Sequence, residues 1–196
     1  MSPHCIGLNP LIISNTGMTN RLLVIKDLDT RHYAIIKSIG DFFYDAASVC
    51  LNRHHKSPTA ISIENDNSTS EAEITWGAVD QRMLDAFADE NEATEMGACA
   101  CSIAAIELEL GLFVLRRANR PFGCDYYIGP AGTTADDLED LYRLEVSGMN
   151  AGTSKDLTKR LKTKTRQTIK GKSNLPAIAC VVCFQPAKIL IHFVRS

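Results

Sequence analysis

Two carboxylates offer this chain its clearest chance at chemistry. Asp125 and Glu145 lie twenty positions apart, each inside a short run that otherwise reads as a buried β-strand: GCDYYIG over 123–129 and YRLEVSG over 142–148. An unpaired buried carboxylate is expensive, so each acid needs a compensating partner. A divalent cation is one such partner, since it accepts oxygens from more than one strand. Adjacent strand positions also hold carboxylates at metal-bridging distance more rigidly than loops do.

That arrangement suits phosphodiester hydrolysis. A Mg²⁺ or Mn²⁺ ion held by two or three carboxylates neutralises phosphoryl oxygens and generates hydroxide near neutral pH. A neighbouring lysine orients the water or stabilises developing charge. Two residues after Glu145, however, stands Ser147, which hydrogen-bonds a water but supplies no charge.

A cation has to come from another element, and the sequence offers one. A basic helix is expected from Thr153 or Ser154 to about Lys170, closed by Gly171. Its helical wheel turns Leu157, Leu161 and Thr168 inward, with Arg160, Lys164 and Gln167 along one flank. These three can lean into a groove beside the strands, whereas Lys159, Arg166 and Lys170 face solvent. Ser147 is a candidate catalytic residue. Arg160, Lys164, Arg166 and Lys170 are candidate nucleic-acid contacts. A solvated basic helix, with lysines suited to its C-terminal dipole, accounts for the same pattern without any ligand.

The flanking elements follow from periodicity. Apolar spacing predicts an amphipathic helix over 28–51, and alternation around Asn65-Asp66-Asn67-Ser68 predicts a β-hairpin over 60–76. A short helix over 79–88 precedes a longer one from a Thr94 cap to Leu110, rich in Ala and Cys and suited to close packing on a sheet. Gly111 ends it, and a strand over 112–115 follows. The two acid-bearing strands come next, joined by a polar loop over 129–140. After the basic helix, 177–184 and 189–194 are β-branched strand runs. Glu107 shares a face of the long helix with Ile103, Ala104 and Leu110.

From Thr94 onward the order is therefore helix, three strands, helix, two strands. With Asp opening the second strand and Glu-x-Ser on the third, the chain resembles the PD-(D/E)XK (restriction-endonuclease-like) nuclease superfamily across roughly its last hundred residues. Cys124 rather than Pro precedes Asp125, and Ser147 stands at the family's lysine position. The resemblance implies an α/β fold: a central mixed sheet flanked by helices, with an α-β-β-β-α-β core. Residues 77–196 form that core, and 1–76 an accessory N-terminal helix and hairpin. It further implies a Mg²⁺-dependent nuclease, acting on DNA or RNA as a homodimer or with a partner subunit, in a defence or DNA-processing complex. Some families of this superfamily relocate the lysine or use a helix glutamine, so the resemblance implies Lys164 and Gln167 as further candidate catalytic residues. It also implies a helix acid that completes the metal site, and Glu107 is the candidate for it.

Bulk properties leave that expectation open. The net charge of −2 does not mark a nucleic-acid binder. Charge is segregated, however, with twelve acids and only Arg82 over 63–110, and eight bases and only Asp156 over 151–173. The start lacks a signal peptide's pattern, and Leu11-Ile12-Ile13 is too short to span a bilayer, so a cytoplasmic location with reduced thiols is expected. Arg53-His54-His55-Lys56 reads as a helix-terminating loop. Cys180 and Cys183 read as core thiols on opposite strand faces, and no Walker or dinucleotide fingerprint is present. Two other classes compete with the enzyme. One is a non-catalytic nuclease-fold subunit for nucleic-acid binding or assembly, favoured by Ser147. The other is an interaction module, such as an immunity or accessory protein, docking a basic partner on the acidic stretch.

Overall fold

The computed structural model describes residues 21–119, 122–134, 141–171 and 173–194. The irregular first twenty residues expected above, and the end of the polar loop at 135–140, lie outside the described residues.

Eight strands form one mixed sheet, with helices on both faces. In chain order they are β1 (Leu22–Leu23), α1 (Lys37–Asn52), β2 (Thr59–Asn65), β3 (Thr69–Ile74), α2 (Gln81–Ala86), α3 (Glu90–Leu110), β4 (Leu112–Arg117), β5 (Tyr126–Pro130), β6 (Tyr142–Ala151), α4 (Ser154–Lys170), β7 (Ala177–Gln185) and β8 (Lys188–Val194). The sheet runs β1-β3-β2-β8-β7-β6-β5-β4. Strands β4, β5 and β6 make an antiparallel meander, and α4 carries the chain from β6 to a parallel β7. The N-terminal hairpin joins this sheet edge to edge through a parallel β2–β8 pairing. The order from α3 onward is the helix, three strands, helix, two strands read from the sequence.

Sequence explains the layering. Strand β7, AIACVVCF before its terminal Gln185, is buried on both faces, as a central strand between two helical layers must be. Cys180 joins the large cluster under α1 and α3, and Cys183 the smaller one under α4, so the two thiols do face opposite ways. The hairpin turn is held by Asn65, whose Oδ1 accepts from the Asn67 and Ser68 amides at 3.0 and 2.9 Å.

Two boundaries differ from expectation. Helix α1 begins at Lys37, because the preceding residues are used to cap the exposed edge of β4. The Ala34 amide donates to the Val114 carbonyl at 3.3 Å, and the Val114 amide donates to His32 Nδ1 at 3.1 Å. That covering answers the edge-strand hazard of unpaired backbone groups. Helix α3 begins at Glu90, not at a Thr94 cap. Asp89 takes the cap, accepting from the Asn91 and Glu92 amides, which leaves Thr94 one turn inside and buried. The cap of α4 is Thr153, in a reciprocal capping box with Asp156.

Helix α3 lies unusually close to its neighbours. A Cβ on Gly97 would fall 2.9 Å from the Ala47 Cα of α1, and one on Gly148 of β6 would strike the Thr94 carbonyl. Backbone cannot move aside as a flexible side chain can. Gly148→Ala is therefore expected to cost about 1–3 kcal/mol of folding free energy, the range for overpacking a filled site, read as a lower urea midpoint. An unchanged midpoint would mean that α3 and β6 are not held at this distance.

Candidate functional site

Strand β6 outruns its neighbour. Only Tyr142, Arg143 and Leu144 pair with β5, so from Glu145 onward its outer edge is open. At that point Asp125, immediately before β5, turns its carboxylate into the gap. Its amide donates to the Leu144 carbonyl at 2.8 Å, and its Oδ2 accepts from the Val146 amide at 2.9 Å. The side chain thus stands in for the strand that stops.

Glu145 is buried at 8% exposure and lies on the α4 face of β6. Lys164 reaches it from α4, with Nζ 2.7 Å from Oε1. Burial pushes the Glu145 carboxyl above its ordinary range, Asp125's charge pushes it further, and the Lys164 hydrogen bond opposes both. The two acids therefore feel one another inside one site. Arg117, at the end of β4, approaches Asp125 more loosely, at 3.8 Å.

A polar groove of about 670 Å³ runs along the open edge of β6, and Glu145, buried on the α4 face, is not part of its lining. Asp125, Ser147 and Lys164 line it, with Arg160 of α4 at its exposed side. Helix α3 forms the opposite wall with Glu90, Asn91, Thr94 and Glu95. Cys99 is also in the wall, but burial pushes its thiol up to about 12, so it is not a thiolate nucleophile.

Arg143 sets the position of α4. It is buried two residues before Glu145, and donates to the Phe122, Thr168 and Leu175 carbonyls at 3.0–3.1 Å. Thr168 is one turn beyond Lys164, so this clamp fixes the turn that presents Lys164 to Glu145. Leu157, Thr168 and Leu161 pack inward from the same helix, as the wheel predicted.

Several sequence candidates are not in the groove. Gln167, Arg166 and Lys170 are exposed and absent from its lining. Glu107 lies at the far end of α3, roughly 18 Å along the helix from Glu95 at 1.5 Å per residue. There its two oxygens accept from Arg31 Nε, both at 2.9 Å, and its Oε2 lies 3.1 Å from His32 Nε2. Glu107 anchors the segment that caps β4, and it is Glu95 that α3 contributes to the groove. The Arg53–Lys56 loop is likewise structural, with His55 Nε2 donating to the Phe184 carbonyl at 2.6 Å and His54 Nε2 to Asn150 Oδ1 at 2.9 Å. The sequence reading missed Arg117, Arg143 and Glu95. Arg117 is the β4 residue that pairs with Tyr126, next to Asp125, across a register shift in the β4–β5 pairing that the sequence does not signal.

Asp125 and Glu145 offer oxygen donors of the kind a small hard cation takes, one Glu145 oxygen being held by Lys164. Mg²⁺ commonly takes only one or two protein carboxylates and fills its remaining sites with water and phosphate oxygens. Asp125 and Glu145 are two such acids, and Glu145 carries the cost of burial and of Asp125's charge. Among the described residues no group of three or more His, Cys, Asp or Glu side chains is gathered as a metal cage, and no helix is long and apolar enough to cross a membrane. No protein-family model matches the chain, and searches of curated proteins and of solved structures returned no significant match.

The ion pair also carries a stability consequence. Lys164→Met leaves Glu145 buried without its cation and is expected to cost about 1–3 kcal/mol, the desolvation penalty of an unsatisfied polar group. Adding Glu145→Gln should return most of that loss. Urea denaturation of both singles and the double gives the cycle, and additive effects would show that the pair is not coupled.

Proposed function

We propose that this protein is a metal-dependent nuclease whose centre is Asp125, Glu145 and Lys164. The observation that carries the reading is the lysine. The strand that bears Glu145 has Ser147 where a cation is wanted, and Lys164 delivers an ammonium to Glu145 from α4 instead. The element order from α3 to β7, with Asp125 at the start of the second strand and Glu145 on the third, supports the resemblance to the PD-(D/E)XK plan.

Each residue then has a task set by its chemistry. Asp125 and Glu145 would hold Mg²⁺ or Mn²⁺, which supplies charge neutralisation at the phosphoryl group and an acidified water. Lys164 offers positive charge beside the carboxylates, where a departing or developing negative charge needs it. Ser147 hydrogen-bonds a water in the groove. Arg160 sits at the rim and attracts the phosphate backbone, with a salt-dependent contribution. Glu95 lies opposite and raises the negative potential that draws a cation in.

Ser147 also favours a second reading, a nuclease-fold subunit that binds nucleic acid without cutting it. Cleavage separates the two. Asp125→Ala and Glu145→Ala should each lower Mg²⁺-dependent cleavage of DNA or RNA at least about a hundredfold with the fold intact, the scale on which loss of a charge-stabilising group acts. Lys164→Met should lower it similarly, and Ser147→Lys in that background should recover part of the rate by restoring the cation from the strand. Salt-sensitive binding by the wild-type protein with no cleavage in Mg²⁺ or Mn²⁺ would establish the non-catalytic reading instead.

A further inference from the structure

A second cavity adjoins the groove, and its chemistry is the opposite. Its volume is about 410 Å³, and its lining is mainly apolar, with Ile35, Ile39 and Phe42 on one side and Met96, Arg117 and Tyr126 on the other. Met96 and Arg117 line the polar groove as well, so a two-residue partition separates the spaces. Helix α1 leaves this flank uncovered. Ile39 is 38% exposed and Phe42 41% exposed, and Ile36, just before the helix, is 60% exposed. Large apolar side chains grouped on a surface in this way mark a binding site more often than chance.

The wall between the cavities is built for a flat, polarisable ligand. The Arg117 guanidinium stands 4.5 Å above the Tyr126 ring centroid, a cation–π arrangement that presents a planar cation. Phe42 lies against Phe87 with centroids 5.2 Å apart, so its ring is backed by another aromatic. Tyr126 is 2% exposed, and its hydroxyl is turned toward the Cys99 thiol and Arg117, so its ring is what the cavity meets.

We propose that this cavity receives an unstacked nucleobase of a single-stranded nucleic acid whose phosphate lies at Asp125 and Glu145. The inference rests on the nuclease reading and adds to it the substrate class. A phosphodiester carries a nucleoside on each side, so a base has to lie within one nucleotide of the bound phosphate. The aromatic and guanidinium surface next to the groove accepts its face, since every base offers a π-face irrespective of sequence. A base that stays paired and stacked in a duplex cannot enter, so single strands, frayed ends and loops are the preferred substrates.

The test uses the full chain in Ca²⁺ in place of Mg²⁺, with two single-stranded DNA oligonucleotides. One carries a 2-aminopurine, and the other is abasic at the same position. The wild-type protein should alter 2-aminopurine fluorescence on binding. Phe42→Ala should abolish that change and weaken binding about tenfold, the scale of one base–aromatic stack. The abasic oligonucleotide should bind both proteins equally. Ile39→Ser, at another exposed position, gives the same comparison should Phe42→Ala fail to fold. Loss of affinity that is equal for both oligonucleotides overturns the proposal, as does unchanged affinity with unchanged fluorescence. A Phe42→Ala effect on self-association without one on DNA binding also overturns it, and assigns the flank to a second copy of the chain. Wild-type protein that binds neither these oligonucleotides nor RNA of the same sequence removes the nuclease reading itself. Wild-type protein that binds and cuts DNA but is indifferent to Phe42→Ala removes only the pocket.

Discussion

A ten-residue strand whose neighbour pairs with only its first three residues leaves backbone groups that must be satisfied elsewhere, and the groove is the consequence. Asp125 meets the first of them with its carboxylate on the Val146 amide. In doing so it comes within electrostatic reach of Glu145, on the same strand but facing α4. Asp125's charge and burial together make the Glu145 charge harder to hold. The Lys164 ammonium offsets that strain from across the groove. Acid, acid and ammonium are therefore one electrostatic unit, held at the place where the sheet opens.

Much of the rest of the molecule keeps this unit in register. Arg143 ties the end of α4 to β6 and to the loop before β7, which fixes the turn carrying Lys164. On the other face, Gly148 and Gly97 let α3 approach β6 and α1 at backbone distance, and this brings Glu95 and Met96 to the groove. The N-terminal segment closes the edge of β4 through His32 and Ala34, and Glu107 secures that segment by its contacts with Arg31 and His32. Burial holds His32 below its usual pKa against the pull of Glu107. With Nε2 facing that carboxylate and Nδ1 accepting from Val114, the ring is kept neutral.

Elements with strong local signatures were legible in the sequence. The apolar β7, the hairpin around Asn65, the helix ended by Gly111 and the basic helix capped at Thr153 all formed as their residues dictate. Asp125, Glu145 and Lys164 were singled out from the sequence, and the structure places Asp125 and Lys164 in one groove with Glu145 buried beside it against Lys164. What was not legible depended on which elements become neighbours. Glu107 and Glu95 lie near opposite ends of one helix, and only the crossing of α3 over β6 decides which end faces the acids. Gln167 lies three residues from Lys164 on the expected flank, yet it falls outside the groove and remains in solvent. The start of α1 was overridden by the edge of β4, a tertiary demand that no helical period records. Arg143 gave no signal, since a buried arginine is recognisable only by the carbonyls around it.

Whether Asp125 and Glu145 share a cation is the question on which the account turns. Diffraction from crystals soaked in Mn²⁺, recorded at the manganese absorption edge, answers it directly. The account predicts one anomalous peak in the groove, with an oxygen of each carboxylate at roughly 2.1 Å, the spacing of a small hard cation. No peak there at saturating Mn²⁺, with Lys164 still paired to Glu145, would contradict it and leave the three residues as a structural ion cluster.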